Sequence, residues 1–456
     1  MTSSVDKVQE GLEKIVNVDR AGYELRAVLA ISEDGLNQAR EYDASGKDLP
    51  LAGTPILIKD NIEAIGLPAT AGSLALSDTP VISDSTIAKR LRAAGAIIIG
   101  STNLSEWANI RSSKSTSGWS GVGGLTANPW IHSQSAGGSS SGSGAAVGAG
   151  LTQWAIGTET DGSIICPASL NGVVGVKPTV GLIPRDGVIP ISARQDSPGP
   201  MTQTVTQAAQ LISVLAGDDS ILRDFNSSLS RNEIRCAVVK EWMTENSAVN
   251  EVFEQSIKTL SQQGFKISEI SLEDPTEDNS QDEYHGLLYD LVLELERYLT
   301  NRAGTRIKNL ADVIEFNKTH SEDELQYFNQ DLLEQAVEYS ANPSDIELRI
   351  NRNLEWARKI LSKGFESADI LLGCTYGPAW ESTLGKGDNF AEASWITMAP
   401  AIAGAPIGTI PMGIVNGLPV GLGFVAKAHS DVQLLQAMFK AEGALGLGVL
   451  SPTFVK

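Results

Sequence analysis

Two serine-rich stretches and one distant lysine are the residues in this chain best suited to chemistry. Gly137–Gly138–Ser139–Ser140–Ser141–Gly142–Ser143–Gly144 is followed by a small-sided apolar run and then by Gly157–Thr158–Glu159–Thr160–Asp161–Gly162–Ser163. Far upstream, Lys59 ends the apolar run Pro55–Ile56–Leu57–Ile58. Serine hydroxyls are nucleophiles once a base takes their proton. Small residues let consecutive backbone N–H groups crowd a developing oxyanion. A lysine on an apolar strand can be held neutral and serve as the base. Together these residues read as a serine hydrolase that works without histidine.

Alone, the glycine–serine stretch reads as a flexible linker. The apolar run Ala145–Ile156 directly behind it argues otherwise, because a linker rarely leads straight into a buried segment. Lys59 has two readings from its own surroundings: a strand-end lysine reaching solvent, or a buried amine. The histidines give no better base. His285 and His320 lie in an acidic helical region, His429 near the last helix, and only His132 lies near the serines. None has metal-ligand spacing, so no metal and no cofactor is expected. Gly142–Ser143–Gly144 lacks the third glycine and the acidic partner of a dinucleotide fingerprint. Cys166, beside Pro167 and an apolar flank, reads as a packed residue.

The elements that must position these groups alternate. Helices are expected near Val5–Asn17, Leu36–Tyr42 and Ser85–Ala94, with strands at Leu25–Ala30, Thr54–Lys59 and Ala96–Ile99. Residues 101–144 have loop composition over a length that favours function. Ser143–Leu151 reads as a small-sided helix, and strands resume at Val173–Val176 and Val188–Ile191. After about Thr202 the chain turns acidic and helix-rich, with strands at Ile234–Val239 and Phe265–Ile270. Ser280–Glu366 is helical in period and reads as an insertion, because strand-like runs return at Asp369–Gly373, Pro406–Pro411 and Val420–Val425. A helix capped by Ser430–Asp431 closes the chain. The pattern predicts an α/β fold: a large mixed, mostly parallel β-sheet covered by helices on both faces, with a helical insertion over the cleft. One domain over residues 1–456 is expected, with its motif core at 50–202 and a divergent helix-rich segment at 216–390.

The 456 residues carry a formal charge of −20, which argues against a nucleic-acid partner. Three scattered cysteines form no disulfide or zinc pattern. No run has the roughly 18 apolar residues of a membrane span, and the polar opening lacks a signal-peptide core. A cytoplasmic protein with no membrane partner is expected.

Gly53–Thr54–Pro55–Ile56–Leu57–Ile58–Lys59–Asp60–Asn61, the Gly137–Gly142 stretch and Gly157–Ile164 together resemble the amidase signature family. The likeness continues through Asn171–Thr179 and recurs at Gly417–Leu422, so it spans most of the chain and is weakest over about 216–390. The resemblance implies a Ser–cis-Ser–Lys triad: Ser163 as acylated nucleophile, Ser139 as bridging serine with a cis bond from Gly138, and Lys59 as terminal base. It implies an oxyanion hole at the amides of Thr160, Asp161, Gly162 and Ser163, and a substrate-contacting segment near Ser112 and Ser113. Two positions depart from the family pattern. Ile165 stands where an arginine is frequent, and Asp161–Gly162–Ser163 replaces Gly-Gly-Ser. With Ser105–Asn109 and Ser117–Gly121, these departures resemble the bacterial peptide amidase branch, which removes the amide of C-terminally amidated peptides. The implied substrate is a small-molecule or short peptide amide. The alternatives are a broad amidase for aliphatic or aryl amides, a binding protein with a degenerate site, and an ammonia-producing amidotransferase subunit. Monomer and homodimer stay open. Asp161 either orients a substrate amide or holds the turn, and Trp107, Trp119 and Trp130 either line a cleft or pack in the core.

Overall fold

The computed structural model describes residues 2–227, 234–341 and 343–456. Its strands are β1 (Val28–Ile31), β2 (Pro55–Lys59), β3 (Ile97–Thr102), β4 (Trp119–Ser120), β5 (Gly124–Leu125), β6 (Trp154–Glu159) and β7 (Val174–Lys177). They continue as β8 (Ser197–Thr202), β9 (Arg235–Val239), β10 (Lys266–Ile270), β11 (Ile370–Cys374), β12 (Ile407–Val415) and β13 (Leu418–Ala426). Eleven of these strands form one mixed sheet in the order β1-β3-β2-β6-β8-β7-β12-β13-β11-β9-β10, while β4 and β5 pair with each other. Parallel pairing joins β3-β2-β6 and β11-β9-β10. Antiparallel pairing runs through the middle and attaches β1 at the edge, which βα alternation alone does not anticipate.

Both faces of the sheet are covered, which is why its strands read as continuous apolar runs. On β11, Ile370, Leu372 and Cys374 pack with the helices Val205–Ala216, Ser247–Gln262 and Asp431–Leu445. Leu371 points the other way, toward Ala357, Ile360 and Leu361 of the helix Pro343–Gly364. On β2, Ile56 and Ile58 pack with Ile87, Leu91, Leu211 and Leu215. Leu57 packs with Val8, Ala145 and Ala146 on the opposite face. The period of two then puts Lys59 on the face of Leu57, under the helix Ser141–Gly148, and Ser139 lies just before that helix. All eight residues of this helix are buried. A Cβ on Gly142 would strike the Asn103 backbone, so only small residues fit.

The insertion lies between β10 and β11, with long helices at Glu277–Asn301 and Pro343–Gly364. Leu288, Leu291, Leu295 and Leu299 of the first helix share a core with Ala71, Leu76, Trp107, Ile110 and Ile191. The insertion therefore rests on the loops around the sheet end that carries Lys59.

Some expectations change. Val188–Ile191 is not a strand: Val188 forms one isolated bridge to Ile62, and Pro190 supplies no N–H to extend it. The strand expected at Leu25–Ala30 starts only at Val28, because Glu24 and Arg26 have positive φ (60° and 54°) and bend the chain. The helix expected at Ser143–Leu151 begins at Ser141 and ends at Gly148.

Candidate active site

Lys59 is fully buried, which settles it as an interior amine. Its Nζ lies 2.7 Å from Ser139 Oγ and donates to Thr158 Oγ1 (2.9 Å) and the Thr158 carbonyl (3.2 Å). Thr158 is there because β6 runs parallel beside β2, with Leu57 opposite Ala155 and Ile58 opposite Ile156. Its backbone is pinned in turn: Thr158 N–H donates to Ser140 Oγ at 3.1 Å, and Ser140 Oγ donates to the Thr158 carbonyl at 3.0 Å. Burial pulls the Lys59 amine from its ordinary 10.5 down to about 7, opposed by the Asp196 and Glu159 carboxylates. Burial also raises Asp196 to about 6.

The Gly138–Ser139 peptide bond is cis, and Ser139 is fully buried. A side chain at position 138 would collide with the Ser105 and Ser117 hydroxyls, so the segment requires glycine there. The Ser139 carbonyl accepts from Ser105 N–H at 3.1 Å. Next along the chain, Ser140 N–H donates to the Ser163 carbonyl at 3.1 Å, which holds the Ser163 turn against the Ser139 segment.

Ser163 sits on the turn between β6 and the helix Ile165–Asn171. Gly162 has φ +72°, and a Cβ there would meet the Tyr376 hydroxyl. The backbone N–H groups of Thr160, Asp161, Gly162 and Ser163 meet no acceptor among the described residues. Buried N–H groups are nearly always paired, so four in succession form a ready anion cradle. The Thr160 hydroxyl donates to Asp196 Oδ1 at 2.6 Å. Asp161 Oδ1 is out of solvent without a donor among the described residues.

Glu159 is a site residue that the sequence reading did not single out. Fully buried, it takes the N–H groups of Ile164 (2.7 Å) and Ile165 (2.9 Å) on Oε2, and so fixes the turn from below. A single acidic residue at the end of an apolar strand, just before a helix start, is the signal that marks it.

Ser113 is not brought to this cluster. It is exposed on a loop, and its N–H donates to Asp331 Oδ1 at 3.1 Å. Ser112 is buried, with its Oγ 2.7 Å from Asn329 Oδ1 and Asp331 Oδ1. The three tryptophans are buried in packing: Trp107 and Trp130 within apolar cores, Trp119 beside Arg111 and edge-on to Phe328. Burial pushes the Cys166 thiol up and keeps it protonated. No histidine bonds to Lys59 or Ser139 among the described residues, and none of their His, Cys, Asp and Glu groups is placed to hold a metal ion. No helix of the described residues is long and apolar enough to cross a membrane.

Comparison with known proteins places this geometry. The family model described as Amidase matches residues 10–435. A probable amidase of Arabidopsis thaliana is 33% identical over 443 residues, covering 92% of this chain and 83% of that one. A glutamyl-tRNA(Gln) amidotransferase subunit from Lacticaseibacillus casei (strain BL23) is 32% identical over 459 residues, covering 94% and 92%. The crystal structure of native peptide amidase from Stenotrophomonas maltophilia superposes with a TM-score of 0.90 at 38% identity, covering 100% of this chain and 96% of that one.

Proposed function

The chain belongs to the amidase signature family and is an amidase acting on carbon–nitrogen bonds; from that premise we propose that it hydrolyses C-terminal peptide amides through Ser163, Ser139 and Lys59, releasing ammonia. The observation that carries the reading is the fully buried Lys59 amine 2.7 Å from the hydroxyl of cis-Ser139. A neutral amine has two N–H groups and one lone pair. Thr158 takes both N–H groups, so the lone pair faces Ser139.

Lys59 accepts the Ser139 proton while Ser139 accepts the Ser163 proton, and Ser163 Oγ attacks the amide carbon. The carbonyl oxygen gains charge in the cradle of the Thr160–Ser163 amides. Collapse of the tetrahedral adduct breaks the C–N bond, and the proton returns through Ser139 to the leaving nitrogen as ammonia. Water, deprotonated by the same relay, attacks the Ser163 ester and releases the acid. The preference for peptide amides rests on the 38% identity to a peptide amidase over the full chain, above the 32% shared with the amidotransferase protein. The competing readings are a broad amidase and a glutaminase subunit.

Ammonia release from a C-terminally amidated dipeptide, with Ser163→Ala alongside, is the test. Release by the parent alone supports the reading. No release by either sinks the substrate assignment and leaves small amides, or glutamine with a partner protein, as the substrates to try.

A further inference from the structure

The nucleophile turn carries an acid whose position the triad does not explain. Asp161 does not hold the turn, since Glu159 takes both helix-start amides. Its carboxyl is steadied by the Thr397 hydroxyl, yet its Oδ1 is buried and unpartnered among the described residues. A second acid stands close by. Gln195 Nε2 lies 3.4 Å from the Thr160 carbonyl and donates to Glu283 Oε1 at 2.8 Å, so one side chain joins Glu283 to the residue preceding Asp161.

Glu283 also faces a cavity of about 770 Å³, lined by Gln195, Gly286, Leu354 and Phe365 among others. That volume suits a small ligand or a short peptide. Two further acids of its lining are neutralised: Asp282 by Arg352 at 2.6 Å and Asp290 by Arg194 at 3.2 Å. Among the described residues, neither Glu283 nor Asp161 forms an ion pair with a basic side chain. The buried Lys177 amine acts on Asp161 through space, but it answers to Glu159 first. An acid left without a paired cation beside an oxyanion cradle works against any bound anion.

We propose that Asp161 and Glu283 are the specificity determinants that admit an uncharged carboxamide and reject the corresponding carboxylate, including the enzyme's own product. The proposal rests on the peptide-amide reading and deepens it. An amide offers N–H donors that an unpartnered carboxylate oxygen can accept, whereas a carboxylate offers only charge of the same sign. Hydrolysis at Ser163 creates that charge next to the pair, and repulsion then favours release of the acid. Burial raises both carboxyls above their usual range, and for Glu283 the neighbouring Asp161 charge adds to it.

The test compares the parent with the isosteric Asp161→Asn and Glu283→Gln proteins on a dipeptide amide and the matching dipeptide acid. The parent is expected to bind the acid at least about tenfold more weakly than the amide. Each variant is expected to tighten inhibition by the acid about tenfold. Thermal melts of both variants show whether either has lost its fold, and the second variant carries the test if one has. Inhibition by the acid that stays unchanged in a folded variant overturns the proposal, as does a parent that binds acid and amide equally. Should the parent release no ammonia from the peptide amide, the substrate reading has failed independently. Benzamide and benzoate then replace the peptide pair, and the same two outcomes decide.

Discussion

Replacing Lys59 with methionine separates the cost of burying the amine from its use. The unfolded chain holds this lysine as an ammonium up to its ordinary value of 10.5, whereas the folded site releases the proton near 7. Between those values the unfolded state binds one more proton, so stability rises with pH across the window and is pH-independent below it. At about 1.4 kcal/mol per pH unit, the burial costs the parent about 4 kcal/mol at pH 7 and about 2 kcal/mol at pH 9. Methionine removes that cost but also its bonds to Ser139 and Thr158, at roughly 1 kcal/mol each. Lys59→Met is therefore expected to be more stable than the parent at pH 7 by about 1–2 kcal/mol. The lost bonds do not vary with pH, so the gap between the two proteins should shrink by about 2 kcal/mol from pH 7 to pH 9. Urea unfolding of both proteins at the two pH values measures this directly. In activity, kcat/KM of the parent should rise with unit slope below about pH 7 and level above it, while Lys59→Met is inactive at every pH. A stability gap that does not move with pH would show that the lysine enters the fold charged, and the neutral-base mechanism would fall with it.

Two further substitutions probe the surroundings. Glu159→Ala strands the Ile164 and Ile165 amides; unfolding should show a loss of about 2–4 kcal/mol, and steady-state kinetics a fall in kcat larger than any rise in KM. Ser113→Ala keeps the backbone N–H that binds Asp331 and removes only an exposed hydroxyl, so kcat/KM on a dipeptide amide should stay within about twofold; a tenfold rise in KM would place that hydroxyl on the substrate.

How much of this was legible in the sequence depends on whether the signal was local. Pro55–Lys59 declares itself as a buried strand, because an apolar run with no polar alternation fits only a strand covered on both faces. The small-residue run from Ser141 could be read as closely packed, since no larger side chain fits against the Asn103 backbone. By contrast, β8 reads Ser-Pro-Gly-Pro-Met-Thr, a turn by every local rule, yet it lies between β6 and β7 inside the eleven-stranded sheet. β7 reaches it only at Thr202 and Met201, so the Pro198–Pro200 stretch is paired on one side, where a strand tolerates residues without an N–H. That is a property of the neighbours, and no window around residue 200 contains it. The site divides in the same way. Spacing and residue type single out Lys59, Ser139 and Ser163, because each sits in a composition that an ordinary loop or surface strand would not keep. Glu159 and Glu283 were missed for opposite reasons. Glu159 looks like one more polar residue of a turn until its carboxylate is seen to take two amides. Glu283 lies in a helix of ordinary acidic composition, and only the fold, through Gln195, brings it to the turn that carries Asp161. A residue whose chemistry comes from its neighbours in space has no signature in its neighbours in sequence.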